Sequence, residues 1–173
     1  MSGDKMEVSF QSFLMTGKFG ELAIGDSKSF VKSKLGIPVW WEGKATLSCD
    51  QSNVWSYEDV GIVFDKSGSR VIKIEIVFED RDDNNSLRLT DGLNVSDVAF
   101  NSETTIGQFV ERLVCSGLTF NQDRNNYGEV LIRIPGGSVA AFREKVDYER
   151  SIALERRIAS DELYLESVRI EQE

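Results

Sequence analysis

Residues 53–78 read NVWSYEDVGIVFDKSGSRVIKIEIVF. The last nine alternate cleanly, with Ile72, Ile74, Ile76 and Phe78 on one side and Val71, Lys73, Glu75 and Val77 on the other. A period of two with one mixed face predicts an antiparallel strand, buried on one side and half-exposed on the other. DKSGS at 65–69 is turn chemistry. Val60, Ile62 and Phe64 before it make a second β-rich run. The stretch is therefore expected to form a hairpin leading into a long strand.

Upstream lies IGDSKSFVKSKLGIPVWW, residues 24–41. Asp26 or Ser27 can accept from the first free amides of a helix. Phe30, Val31 and Leu35 are then expected to face the core. Gly36 ends the helix, and Pro38 prevents its continuation. Residues 7–16 form a short helical or irregular apolar segment ended by Gly17.

Downstream, EDRDDNNS at 79–86 has no apolar residue and reads as a turn or linker. The second half then begins again. LRLTDGLNVSDVAF suggests a strand or two. SETTIGQFVERLVCSG, residues 102–117, is the strongest helix in the chain. Its apolar stripe is Ile106, Phe109, Val110, Leu113 and Val114. Ser102 or Thr104 is placed to cap its start, and Gly117 lies just past its end. EVLIRI, VAAFREK and ELYLESVRIEQ read as strands. The charged stretch at 146–161 reads as a surface helix.

The two halves can be laid over each other. Phe30-Val31 aligns with Phe109-Val110, and Tyr57-x-Asp59-Val60 with Tyr127-x-Glu129-Val130. The expected fold is α+β: two tandem helix–β-hairpin–strand units, forming an antiparallel sheet with helices packed on one face. The units span 1–79 and 87–173, joined by a turn at 80–86, in one compact domain overall.

Chemistry is scarce. The chain has no histidine, which excludes Ser-His-Asp and Cys-His catalysis and histidine metal ligation. Cys49 and Cys115 have no zinc-type spacing; Cys115 reads as a core residue and Cys49 as exposed. Gly20 and Gly25 have the spacing of a phosphate loop, but Asp26 stands where the phosphate-binding lysine belongs. Asp80, Asp82, Asn84, Ser86 and Asp91 match the ligand positions of a calcium loop. Asn85 replaces its turn glycine, however, and Asp91 its bidentate glutamate. Neither cofactor nor metal is expected. Carboxylate catalysis by Glu129 and Glu75 is the enzymatic alternative.

The chain carries 29 acidic against 20 basic residues, a net charge of −9. That argues against binding a phosphate backbone and suits a basic protein partner. No stretch nears the roughly 20 apolar residues of a membrane span. No signal segment is evident either, so a cytoplasmic protein away from membranes is expected.

Gly25, Ser27, Val31, Leu35, Gly36, Pro38, Trp55, Tyr57, Phe64, Gly68 and Val71 carry a resemblance over about residues 22–78. The stretch resembles the β-lactamase inhibitory protein superfamily, which also holds the small lipoprotein of the outer-membrane β-barrel assembly machinery. It is similar, too, to cytosolic bacterial proteins that include toxin-neutralising immunity proteins. The second half departs from the pattern, having CSGLTF in place of Leu-Gly-x-Pro. The resemblance implies an α/β sheet scaffold that binds protein. Taken with the acidic charge and the missing catalytic chemistry, the expected function is non-enzymatic: an immunity-type protein that occludes the active site of a basic toxin. The alternative is a housekeeping interaction module with no toxin. Candidate partner-binding residues are Trp40, Trp41 and Glu42, since tryptophans anchor interfaces, and the acidic Glu79, Asp80, Asp82 and Asp83.

Overall fold

The computed structural model describes residues 5–78, 87–126, 128–144 and 163–171. The turn at 80–86, Tyr127 and the expected helix at 146–161 lie outside them. The described elements are β1 (Met6–Ser9), α1 (Phe10–Thr16), α2 (Lys28–Leu35), β2 (Trp40–Trp41), β3 (Val54–Tyr57), β4 (Val60–Phe64) and β5 (Val71–Val77). They continue with β6 (Leu93–Ser96), α3 (Ile106–Cys115), β7 (Asn121–Arg124), β8 (Val130–Arg133), β9 (Ser138–Glu144) and β10 (Leu163–Glu171).

Eight strands form one sheet in the order β2-β3-β4-β5-β10-β9-β8-β7, every neighbouring pair antiparallel. β5 and β10 meet in the middle, so the first half of the chain supplies one wing and the second half the other. β1 and β6 form a separate parallel pair.

The core lies on one face of this sheet. Trp55, Tyr57, Ile62, Phe64, Ile74, Ile76, Phe142 and Val168 there are essentially inaccessible. Val31 and Leu35 of α2, Phe10, Phe13 and Leu14 of α1, and Ile106, Phe109 and Leu113 of α3 join the same cluster. Each such side chain contributes about 1.5–3 kcal/mol by leaving water. The Phe109 ring meets Phe142 edge-on at 5.2 Å, and Phe10 meets Phe78 at 6.0 Å.

Several expectations are corrected by local geometry. In β5, Val71 is buried and Ile72 half-exposed, because Val63 pairs with Lys73 but Phe64 pairs with Val71. That bulge sets two residues against one and flips the phase of the alternation at the strand's start. Phe30 is 36% exposed and Val114 61% exposed: only part of each helix's apolar stripe meets the sheet. The α3 cap is Thr105, whose hydroxyl accepts from Gln108 while the Gln108 side chain accepts in return. The cysteines are reversed: Cys49 is buried, in a short turn under Trp55, and Cys115 is exposed at the last position of α3.

The helix ends follow their sequence signals. Ser27 accepts from the Phe30 amide to start α2, and the Gly36 amide donates to Lys32 at its close. Gly117 takes a left-handed φ of 69° after α3, with Gly117 N–H on Val114 and Leu118 N–H on Leu113. The residue before each of two caps also ties its helix to a central strand. Val71 N–H donates to the Asp26 carbonyl at 2.8 Å, and Leu165 N–H donates to the Thr104 carbonyl at 2.9 Å.

Helix α1 closes the molecule across its two halves. The Asp97 carboxylate accepts from the Ser9 hydroxyl and the Phe10 amide at the start of α1. At its other end the Ser138 hydroxyl donates to the Leu14 carbonyl. Gly136 lies so close there that a Cβ would sit 2.0 Å from the Met15 carbonyl oxygen.

Candidate protein-binding surface

The three tryptophans divide by role. Trp55 is fully buried, donates its indole N–H to the Cys49 carbonyl at 2.7 Å and packs on Phe64 at 4.7 Å. Trp41 pairs with Trp55 across the ladder and packs partly against the core. Its indole N–H donates to the Leu47 carbonyl at 2.8 Å, and the Lys44 ammonium lies 4.9 Å over its ring. Trp40 is one residue out of phase and so stands on the other face of the strand. It pairs with Ser56 and is 49% exposed.

Trp40 is not exposed alone. Ile37 (70% exposed) and Val39 precede it in the chain and Leu47 follows, all three exposed as well. This segment is placed by its flanks. Gly36 turns the chain out of α2, Pro38 is buried, and Val39 N–H enters the sheet on the Ser56 carbonyl at 2.9 Å. β2 is one of the two edges of the sheet.

The opposite edge is built differently. All four residues of β7, Asn-Gln-Asp-Arg, are polar and exposed, and Asp123 pairs with Arg133 at 3.0 Å. Such an edge resists further pairing, whereas the β2 edge gathers apolar and aromatic side chains in water.

Two carboxylates flank the apolar edge. Glu42 follows Trp41 and donates its backbone N–H to Val54 at 3.1 Å. Glu58 sits in the β3–β4 turn, two residues past Ser56, with a left-handed φ of 60°. Both are exposed, and neither makes an ion pair among the described residues. Lys44 is drawn back, donating to the Val39 carbonyl at 2.7 Å. Of the expected partner-binding residues, Trp40, Trp41 and Glu42 thus fall together on this edge. Glu79, Asp80, Asp82 and Asp83 lie outside the described residues. Glu58, Ile37 and Val39 were not singled out in the sequence. Only the X-Pro pair after Gly36 hinted that this segment runs along the surface.

The sheet face opposite the core carries charges locked to one another. Glu75 pairs with Lys73 at 2.7 Å and with Arg169 at 3.9 Å. Arg143 pairs with Glu129 and, at 2.9 Å, with Glu166. Burial pushes the Glu129 carboxyl up, but hydrogen bonds from Arg143 and Asn125 outweigh it and hold Glu129 below the ordinary range. Burial wins at Glu166, which stays above that range despite Arg143. The two carboxylates of the enzymatic alternative, Glu129 and Glu75, are thus each held by cations.

A cavity of about 320 Å³ opens between α1 and the end of α3, with Phe10, Leu14, Phe100 and Leu113 in its wall. Its charged members are engaged. Asp97 caps α1, and Arg112 lies 5.5 Å over the Phe100 ring. Among the described residues no group of three or more acidic or cysteine side chains could hold a metal ion, and no helix is long and apolar enough to cross a membrane.

No family model matches this chain, and no curated protein or solved structure matches it.

Proposed function

We propose that this chain is a non-enzymatic protein-binding protein whose binding surface is the β2 edge. One observation carries the reading: Trp40, Ile37, Val39 and Leu47 are each exposed in the segment that forms or flanks one sheet edge, in a chain whose other edge strand is wholly polar. A buried apolar centre with a charged rim is the energetic plan of a protein interface.

The scaffold is read as two tandem units, residues 1–79 and 87–173. In support, each wing contributes four strands in mirror order about β5 and β10. The matched bonds Val71 to Asp26 and Leu165 to Thr104 sit at corresponding points of the two halves. This agrees with the resemblance to the β-lactamase inhibitory protein superfamily and its tandem members.

Within that reading the chain acts as a cytoplasmic immunity-type protein that occludes the active site of a basic toxin. The net charge of −9 favours fast, salt-sensitive association with such a partner. The test is affinity capture from extracts of the source cell at low and moderate salt, with wild type and Trp40→Ala side by side. A single basic protein, retained by wild type, lost by the variant and weakened by salt, supports the reading. Its toxicity should then be relieved by co-expression of this chain. A partner held equally by the variant overturns the assignment of the surface.

A further inference from the structure

The cavity between α1 and the end of α3 has no part in the surface assigned above. We propose that it is a binding site for a small aliphatic monocarboxylate, whose chain lies between the two helices and whose carboxylate is held by Arg112.

Three observations carry this. First, the cavity has the size and lining for such a chain. Its volume of about 320 Å³ lies at the lower end for ligand pockets, and at roughly 30 Å³ per water-sized atom it takes about ten non-hydrogen atoms. Phe10, Leu14 and Leu113 are its most deeply buried walls, and Phe100 and Leu118 are half-buried there. Such a space gains by holding an apolar chain in place of water. Second, the charges that line it are unequally engaged. Both Asp97 oxygens are taken, one by the Ser9 hydroxyl at 2.9 Å and one by the Phe10 amide at 3.1 Å. In the last turn of α3, the Arg112, Leu113 and Val114 carbonyls accept from the Ser116, Leu118 and Gly117 amides. The Arg112 guanidinium makes no ion pair among the described residues. Its contact is with the Phe100 ring, at 5.5 Å. A ring contact uses none of the N–H donors, so Arg112 keeps the planar fork that suits a carboxylate. Third, the lining is amphiphilic in one place. Phe100 is both a wall of the cavity and the ring under Arg112, which sets the cation beside the apolar space.

The proposal is tested by nuclear magnetic resonance titration of the full chain with octanoate, a monocarboxylate of about that size. Octylammonium, a similar chain of opposite charge, is the comparison. Octanoate is expected to shift the amides of residues 115–118 and to slow thiol labelling of Cys115, which lines the cavity. Its affinity should fall about tenfold in Arg112→Gln, and octylammonium should bind wild type about tenfold more weakly than octanoate does. Arg112 is exposed, so the rest of the variant's spectrum should be unchanged. Ala99→Leu puts a larger side chain in the cavity wall and should weaken octanoate binding with Arg112 intact. Equal affinity of wild type and Arg112→Gln, or equal or tighter binding of octylammonium, would overturn the assignment of the carboxylate to Arg112. Should Arg112→Gln fail to fold, the comparison of the two compounds on wild type still decides. Unmoved amides and an unprotected Cys115 at millimolar octanoate would overturn the site itself.

Discussion

The Tyr57 hydroxyl donates to the Gly36 carbonyl at 3.0 Å, joining the end of α2 to β3, the strand beside the β2 edge. Gly36 opens the segment that carries Ile37, Val39 and Trp40, so this one bond fixes where that segment leaves the helix. Burial, helped by nearby Cys49, raises the phenol above its ordinary value of 10. Tyr57→Phe should cost about 1 kcal/mol of stability, because it leaves the carbonyl short of a donor. In the wild type, one of the four tyrosines should resist ionisation in an alkaline absorbance titration until the chain unfolds.

The division among tryptophans has a direct energetic signature. Trp55→Ala empties a fully buried site and orphans the Cys49 carbonyl, and should cost about 3–5 kcal/mol. Trp40→Ala removes a half-exposed ring and should change stability by no more than about 0.5 kcal/mol. Chemical denaturation of the two variants measures both. A large loss at Trp40 would make it a structural residue and remove it from the interface.

The cysteines offer a check on the fold that needs no mutation. A thiol reagent should modify Cys115 rapidly in the native chain and Cys49 only on unfolding, since Cys49 lies beneath the Trp55 indole. Peptide mapping after brief labelling would locate the modified residue. Native labelling of Cys49 would contradict the packing of residues 49–55.

Glu129 and Glu166 share Arg143 yet should move stability in opposite senses with pH. The folded-state value of Glu129 is depressed, so its contribution is present above the ordinary 4.5 and is lost as pH falls through the folded value. The folded-state value of Glu166 is raised. Its contribution is full below 4.5 and is lost as pH rises through the folded value. Glu129→Gln should therefore weaken the chain most near neutral pH, whereas Glu166→Gln should flatten the decline above pH 4.5. Urea midpoints across the acid range would separate the two.

Glu58 holds a left-handed backbone that glycine adopts without cost. Glu58→Gly should raise stability by up to about 1 kcal/mol. If the β2 edge binds a basic partner, as proposed, the same change should weaken that binding. A variant both more stable and equally tight would show that the carboxylate has no part in recognition.

Much of the architecture was legible because its signals are local. Ser27, Gly36, Pro38 and the DKSGS turn each dictate backbone geometry within a few residues. β7 was not legible: Asn121–Arg124 has no apolar residue, and only its pairing with β8 makes it a strand. The start of β5 misled because a bulge is set by the partner strand, which a single-strand pattern does not contain. Cys115 misled for a related reason, since helical spacing locates a stripe but not how far the sheet extends beneath it, and Cys49 misled because its polar neighbours do not show that Trp55 packs over it. Of the proposed binding edge, Trp40, Trp41 and Glu42 could be singled out as residue types. Glu58 could not, because only the β2–β3 register brings it to them.

The placement of α1 has a consequence during synthesis. Ser9 and its partner Asp97 are 88 residues apart, and Ser138 lies further on still. At about 5–20 residues per second, a ribosome makes β1 and α1 roughly 4–18 seconds before Asp97 and roughly 6–25 seconds before Ser138 of β9. Through that interval Val8, Phe10, Phe13 and Leu14, all buried in the finished molecule, have no completed surface to cover them. The nascent chain should therefore be a chaperone client until β9 emerges, and slowing translation should lower its yield more than that of a protein whose first helix packs on its nearest neighbours.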